Sequence, residues 1–249
     1  MTLEVLLPFV VIAAIAGYFQ TVTGFGLGMI VMGATSGLEV APVASVAAVV
    51  SLMMLANSAV ALPGKLKHLD MSVIVATVLG IVPAAAVGVL LLDVLSARAA
   101  SVLSIALGLL VCIGGLSLVL CPRQRKTLSS RGSFFISGVL SGLCGGLFGI
   151  PGPPVIYQCY RQPLPAVAIR NMLILLFAVT SGMRTIFVTL QGTMNVEILA
   201  LTAWSIPAVA VATYAGRRWP LPVSPAGMRR LAFVTLVLIG GGLIASELI

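Results

Sequence analysis

The stretch "GGLFGIPGPPV", residues 145–155, places four glycines and three prolines inside an apolar segment. Glycine and proline are the poorest helix formers, so a helix that enters this stretch is expected to end within it. No charged residue accompanies the interruption. A second uncharged interruption, "QTVTGFGLG" at 20–28, lies near the N-terminus. These two interruptions decide the predicted fold, because each predicts a helix that breaks while the surrounding sequence stays apolar.

The composition around these breaks is typical of a protein embedded in lipid. Of the 249 residues, 60% are hydrophobic and 8% are charged, whereas a soluble domain carries about 25% charged residues. The mean hydropathy is +1.19. Apolar runs recur that are long enough to cross a ~30 Å hydrocarbon core. We therefore predict an all-α, multi-pass protein of the bacterial inner (plasma) membrane.

The two halves of the chain resemble each other. Phe25-Gly26 precedes Phe148-Gly149 by 123 positions. Three further segment pairs follow in the same order at nearly the same offset: 56–59 with 179–182, 81–88 with 205–212, and 107–118 with 234–245. Such ordered matches indicate an internal duplication. The predicted N-terminal repeat covers 1–122, a basic cytoplasmic linker covers 123–132, and the C-terminal repeat covers 133–249.

Each repeat is predicted to hold one broken helix followed by three spans. The broken helices are 3–38 and 133–160, and the spans are 41–62, 71–92, 99–120, 166–190, 196–215 and 228–247. If both broken segments return to the side they enter, 12 of the 14 Lys and Arg lie on one side, with Arg98 opposite and Arg184 within the membrane. Straight crossings give six against seven, without the excess that cytoplasmic loops carry. The hairpin arrangement is favoured, and it makes the repeats inverted with both termini outside.

A helix break within the membrane has a chemical consequence. The freed backbone groups are tolerated only inside protein or beside an aqueous cavity. The N-terminus of a half helix attracts anions, and glycine lets an anion approach the backbone closely. Two breaks at matching positions therefore predict one anion site between the halves. The alternative is that glycine and proline only allow close helix packing.

The paired elements "TGFGLG" and "GLFGIPGPP" resemble those of the sulfite exporter TauE/SafE family, or toluene sulfonate uptake permease superfamily, and the resemblance covers the whole chain. It implies a secondary transporter, and an exporter in direction, for a small sulfur-containing anion such as sulfite or an organosulfonate. Alternating access by rocking of the two halves is the expected mechanism. The alternative is an anion channel for small oxyanions. An enzyme is not expected, because the sequence has no HExxH or GxSxG motif.

The predicted substrate-binding residues lie at the breaks or are polar within apolar helices. They are Gln20, Thr23, Gly24, Phe25, Gly26, Asn57, Phe148, Gly149, Pro151, Gly152, Pro153, Tyr157, Gln158, Arg170, Ser181 and Arg184. Arg184 stands out because a cation deep in the membrane is costly and by default functional; the alternative is that it snorkels to the surface. For Arg170 the alternative is an ordinary cytoplasmic cation, and for the uncharged polar residues it is helix packing.

The remaining titratable residues narrow the mechanism. Each of the six Asp and Glu falls near a predicted span end, so facilitated efflux driven by the inside-negative potential is one expectation. Coupling to a protonated substrate or to Na⁺ stays open. His68 is interpreted as a surface residue. No cofactor or metal is expected from the spacing of the four cysteines. The expected partners are the small anion and membrane lipid, not nucleic acid, and a homodimer is left open.

Overall fold

The computed structural model describes residues 3–37, 42–66, 69–98 and 124–219, with isolated helical positions between 102 and 116 and at 234 and 237. Within these ranges the chain forms helices and no strand, which confirms the predicted fold class. The predicted spans 99–120 and 228–247 lie for the most part outside the described residues, as does His68.

The helices of the continuously described ranges are labelled α1 to α8 in chain order. They are α1 Leu3–Thr23, α2 Leu27–Gly37, α3 Val43–Ala61, α4 Met71–Arg98, α5 Arg131–Phe148, α6 Pro153–Tyr160, α7 Ala166–Leu190 and α8 Val196–Arg218. In this part of the chain, six helices are long and apolar enough to cross a membrane. The two short helices, α2 and α6, each follow a break. The breaks at 24–26 and 149–152 lie within the two quoted stretches.

The closest helix pair is α4 with α5. Gly80 and Gly88 on α4 alternate with Gly138, Gly142 and Gly146 on α5. A Cβ added at any of these five glycines would lie 2.2–2.5 Å from a backbone oxygen of the partner helix. Small residues at this spacing let membrane helices approach backbone to backbone. The order of contacts along both helices makes the pair parallel.

A second parallel pair, α1 with α8, joins the two ends of the described chain. Gly17 of α1 lies against Val209, and Gly216 of α8 lies against Thr21. A Cβ added at Gly17 would lie 3.1 Å from Val209 Cγ1, and one added at Gly216 would lie 3.2 Å from Thr21 Cβ. This pair is therefore less tightly packed than α4 with α5.

The helices α3 and α7 pack against each other in opposite directions. Ser58 Oγ lies 3.4 Å from the carbonyl oxygen of Ile174, whereas Leu55, one turn earlier on α3, lies against Gly182, two turns later on α7. Both helices also contact the pairs described above, since α3 packs on α8 and α7 on α4. The antiparallel pair therefore lies between the two parallel pairs.

The second broken segment begins and ends at the same end of the molecule. The backbone N–H of Ser129, just before α5, donates to Gln162 Oε1 at 2.9 Å, just after α6. About one turn inward, Gln158 Nε2 donates to Ser133 Oγ at 2.9 Å. These bonds join the outer ends of α5 and α6, so the segment forms a hairpin within the bundle.

Cations collect at this end of the molecule. The backbone N–H of Arg125 donates to the carbonyl of Arg161 at 2.8 Å, which places both residues beside the hairpin. Lys65, in the turn after α3, has its pKa lowered by partial burial and then by the charges of Arg170 and Arg217. This is the end that the distribution of Lys and Arg predicts to be cytoplasmic.

Candidate functional site

The two breaks meet inside the helical bundle. A Cβ added at Gly28, at the start of α2, would lie 3.3 Å from the carbonyl oxygen of Gly149 and 3.4 Å from Ile150 Cγ1. Between the breaks lies a cavity of about 10 Å³, which is roughly the space for one water. It is lined by Gly26, Gly28, Met29, Met54, Ile150, Pro151, Gly152, Ile156 and Phe177. The breaks thus form a closed contact around a very small space.

The first break depends on glycine conformation. Gly24 and Gly26 have φ of +92° and +111°, values that residues with a Cβ rarely adopt. Gly24 also lies directly against α7, because a Cβ there would lie 3.0 Å from Arg170 Cα. The Thr23 hydroxyl, 2.8 Å from the carbonyl oxygen of Phe25, lies within the turn. Arg170 is therefore next to the first break, although it does not line the cavity.

Aromatic rings join the first break to the second hairpin. Phe25 is fully buried and makes edge-to-face contacts with Phe19 and Tyr160, each at 6.1 Å between ring centroids. The Tyr160 hydroxyl donates to the carbonyl of Thr23 at 3.2 Å. The last residue of α6 therefore packs on the break of the other half.

Gln20 closes the first break from the opposite side. The N–H of Leu27, at the start of α2, donates to Gln20 Oε1 at 3.0 Å. Gln20 Nε2 lies 3.4 Å from Asn57 Oδ1. Asn57 Nδ2 lies 3.0 Å from Thr21 Oγ1 and 2.7 Å from Thr213 Oγ1 on α8. These side chains are buried, and they connect α1, α2, α3 and α8.

The second break is built mainly from backbone and proline. Gly149 ends α5 with φ +67°, and a Cβ there would lie 2.7 Å from the carbonyl oxygen of Ala47. Ser141 Oγ donates to the carbonyl of Pro151 at 2.6 Å, which holds the returning chain against α5. Helix α6 begins at Pro153, which has no N–H that would need a partner.

Arg184 lies beside the second break and not at the surface. It is 1% exposed, and its Nε donates to the carbonyl of Gly146 at 3.0 Å. That carbonyl belongs to the last turn of α5, where carbonyl groups lack partners within the helix and a cation is stabilised by the helix dipole. The guanidinium therefore caps the end of α5 that leads into the break.

Several predicted residues lie away from the cavity. Tyr157 is 41% exposed, and the guanidinium of Arg161 lies 5.1 Å from its ring centroid. Gln158 is engaged at the hairpin mouth, as described above. Phe148 is buried, as is Ser181, whose hydroxyl has no hydrogen-bond partner within the described ranges. The structure does not place these four side chains in the lining.

Other residues of the site were not predicted. The side chains of Met54, Ile156 and Phe177 line the cavity, but apolar residues in apolar helices carry no distinguishing sequence signal. Thr213 could have been noticed as a polar residue inside an apolar stretch of α8. No group of three or more His, Cys, Asp and Glu that could hold a metal is found among the residues the structure describes.

The fold and site define a multi-pass membrane protein in which two broken helices meet within a helical bundle. The profile of the family described as "Sulfite exporter TauE/SafE" matches residues 9–243, and the chain belongs to this family. It is 53% identical over 246 residues to "Probable sulfite/organosulfonate exporter TauE" of Cupriavidus necator, covering 98% of this chain and 96% of that protein. No solved structure is significantly similar. The predicted family and membrane localisation are confirmed, and the family is one of transporters.

Proposed function

We propose that this protein is a secondary transporter that exports sulfite or an organosulfonate, which binds between the two broken helices and moves by alternating access. The observation that carries the proposal is the contact of Gly28, in the first turn of α2 just after the first break, with Gly149 of the second break, beside a glycine-lined cavity. The name of the 53% identical relative supports the substrate class.

The size of the cavity supports a moving site. A space of about 10 Å³ admits about one water, so an anion of several heavy atoms enters only if the breaks separate. The arrangement is therefore a closed form of the site. Opening towards one membrane face and then the other constitutes alternating access.

Helix packing supports an inverted duplication. At the offset of 123, α3 corresponds to α7, and these helices run in opposite directions. The pair α1 with α8 likewise corresponds to α5 with α4, and both pairs are parallel. A two-fold rotation about an axis in the membrane plane would place each helix on its equivalent and would produce this pattern. Transporters with inverted repeats have such an axis.

The charges at the mouth predicted to face the cytoplasm suit an anionic substrate. Lys65 lies close enough to Arg170 and to Arg217 for its charge to interact with theirs, and Arg170 packs directly on the first break. Such a positive field raises the local concentration of anions. We expect the anion to enter past these residues and reach the glycine backbone of the breaks.

Transport is tested with purified protein in liposomes, using radiolabelled sulfite and a panel of sulfonates. We expect saturable uptake and counterflow for sulfite or for at least one sulfonate. Linear, non-saturating flux without counterflow would indicate a channel and contradict alternating access.

The site is tested with Gly149→Leu, which we expect to abolish uptake because its Cβ would collide with Ala47. Gly192→Leu is the matched control. Gly192 has a similar φ of +68°, but nothing lies within 4 Å of its Cβ position. Both variants are compared by size-exclusion chromatography. Normal uptake by Gly149→Leu would place the site elsewhere.

Arg184→Ala provides a second test of the site. It removes the cation beside the second break, and we expect uptake to fall about 10- to 150-fold, since buried charge-assisted hydrogen bonds contribute about 1.5–3 kcal/mol. Arg184→Lys retains the charge and is expected to preserve folding. If Arg184→Ala is folded and transports normally, the residue has no role in transport.

A further inference from the structure

Buried polar side chains connect the first break to the C-terminal half of the chain. The connection runs from the N–H of Leu27 through Gln20 and Asn57 to Thr213 on α8. Gln20, Asn57 and Thr213 are each 0% exposed. A buried polar group without a partner is costly, so each hydrogen bond in this series favours retention of the others.

The second half of the protein does not repeat this series of hydrogen bonds. At the offset of 123, Gln20 corresponds to Leu143 and Asn57 corresponds to Thr180. The Thr180 hydroxyl donates to a carbonyl of its own helix at 2.8 Å. The match of 205–212 with 81–88 pairs Thr213 with Val89, whose side chain has no polar group. The polar connection is therefore a feature of the first break and not of the duplication.

We propose that Gln20 is a positioning residue and that the chain Gln20–Asn57–Thr213 makes α8 follow the first break when it opens. The inference rests on the proposed function, because opening is what admits the anion. Gln20 extends from α1 to the start of α2, so separation of the breaks moves its amide. Asn57 passes that movement to Thr213, because breaking either bond would leave a buried polar group unsatisfied in the membrane.

The protein contains two natural fluorescent reporters of movement in α8. Its two tryptophans are Trp204, within α8, and Trp219, directly after it. They are 64% and 67% exposed, so their surroundings change when α8 moves relative to lipid or neighbouring helices. Tryptophan fluorescence during a sulfite titration therefore measures a response of α8 to events at the breaks.

The test compares Thr213→Val with Thr77→Val in full-length protein in lipid nanodiscs and liposomes. Thr213→Val removes the hydroxyl that accepts from Asn57 and leaves the bond of Gln20 to Leu27 intact. Thr77 is equally buried, but its hydroxyl donates to Val73 of its own helix. Three quantities are measured: bound radiolabelled sulfite, the fluorescence change at saturation, and the uptake rate.

We expect Thr213→Val to bind sulfite within about twofold of the unmodified protein while its fluorescence change and uptake rate fall about tenfold, a typical size for coupling between sites. Thr77→Val should match the unmodified protein in all three quantities. Full fluorescence response and uptake in Thr213→Val would overturn the proposal. Loss of sulfite binding in that variant would also overturn it, because Thr213 would then act in binding.

A second variant, Gln20→Asn, tests the proposal if Thr213→Val does not fold. Gln20→Asn shortens the side chain by one methylene, so its amide no longer spans from Leu27 to Asn57, and the same uncoupling is expected. An unchanged response in Gln20→Asn would overturn the proposal. If the unmodified protein binds neither sulfite nor any sulfonate, the proposed function fails and not the coupling alone.

Discussion

The two parallel helix pairs, α4 with α5 and α1 with α8, correspond in the proposed duplication but are held together differently. In α4 with α5, glycines bring backbone against backbone, and any added Cβ would lie 2.2–2.5 Å from a partner oxygen. In α1 with α8, contacts are looser, and the Tyr18 hydroxyl donates to the carbonyl of Trp219 at 2.7 Å. Interlocked backbones resist sliding, whereas hydrogen bonds can exchange. We therefore expect the α4–α5 pair to resist sliding more strongly than the α1–α8 pair.

The two breaks differ in the same sense. The first is closed by the side chain of Gln20, which occupies the N–H of Leu27. The second is closed by the left-handed turn at Gly149 and by Pro153, which has no N–H to satisfy. A side chain can change rotamer at low cost, whereas a glycine turn pressed against Ala47 cannot. The first break is thus better suited to move.

The largest effect that we predict comes from Gly142→Ala on α5. Its Cβ would lie 2.5 Å from the carbonyl oxygen of Ile81, and backbone on both sides prevents relaxation. We expect a loss of at least about 3 kcal/mol, the upper range for overpacking. Thermal unfolding in detergent, followed by circular dichroism, measures it.

Gly17→Ala makes the same change in the looser pair. Its Cβ would lie 3.1 Å from Val209 Cγ1, a side-chain atom that can shift, so we expect less than about 1 kcal/mol. Equal destabilisation by the two variants would remove the distinction between a fixed and an adjustable pair.

A smaller effect is predicted for Gln20→Leu at the first break. Loss of one buried hydrogen bond to the N–H of Leu27 costs about 1 kcal/mol, so amide exchange at the start of α2 should become about fivefold faster. Hydrogen exchange with mass spectrometry measures it. Ser141→Ala, which removes a bond to Pro151 within the second break, should leave α2 unchanged. If Ser141→Ala accelerates α2 equally, the breaks do not open separately.

Much of the fold could be predicted because it depends on local properties of the chain. Glycine and proline end helices whatever surrounds them, so the breaks fall within the two quoted stretches. The sequence also contains a pattern typical of tight packing that was not used to predict the packing of α5. Its glycines Gly138, Gly142 and Gly146 recur every four residues. Local sequence does not say which helix packs against a given surface. The packing of α5 on α4 is a property of the folded bundle.

The site was less predictable for the same reason. The depth of Arg184 follows from its apolar surroundings in the sequence, but its bond to Gly146 depends on how α7 crosses α5. Tyr157 is adjacent to the second break in sequence, yet its position on the short helix α6 turns it outward. Thr213 is 156 residues from Asn57. Such contacts arise from tertiary packing, which composition and spacing do not encode.

The smallest predicted effect distinguishes the beginnings of α4 and α5 by pH. Asp70 accepts from the N–H of Ser72 at 3.0 Å, and hydrogen bonding to Ser72 lowers the pKa of its carboxyl below the ordinary 3.8. The charged form therefore stabilises the start of α4 above pH 3.8, and this stabilisation is lost as the pH falls through the lower folded value. Ser130, which caps α5, does not titrate in this range.

Acidification from pH 6 to pH 3 should therefore increase amide exchange in the first turn of α4 by about twofold relative to that of α5, a size typical of an exposed cap. Exchange rates are compared after correction for the intrinsic effect of pH. Asp70→Asn should abolish the difference, because an amide keeps its acceptor oxygen at both pH values. If α4 and α5 lose protection equally on acidification, the carboxylate of Asp70 does not stabilise α4, and the two helices begin alike.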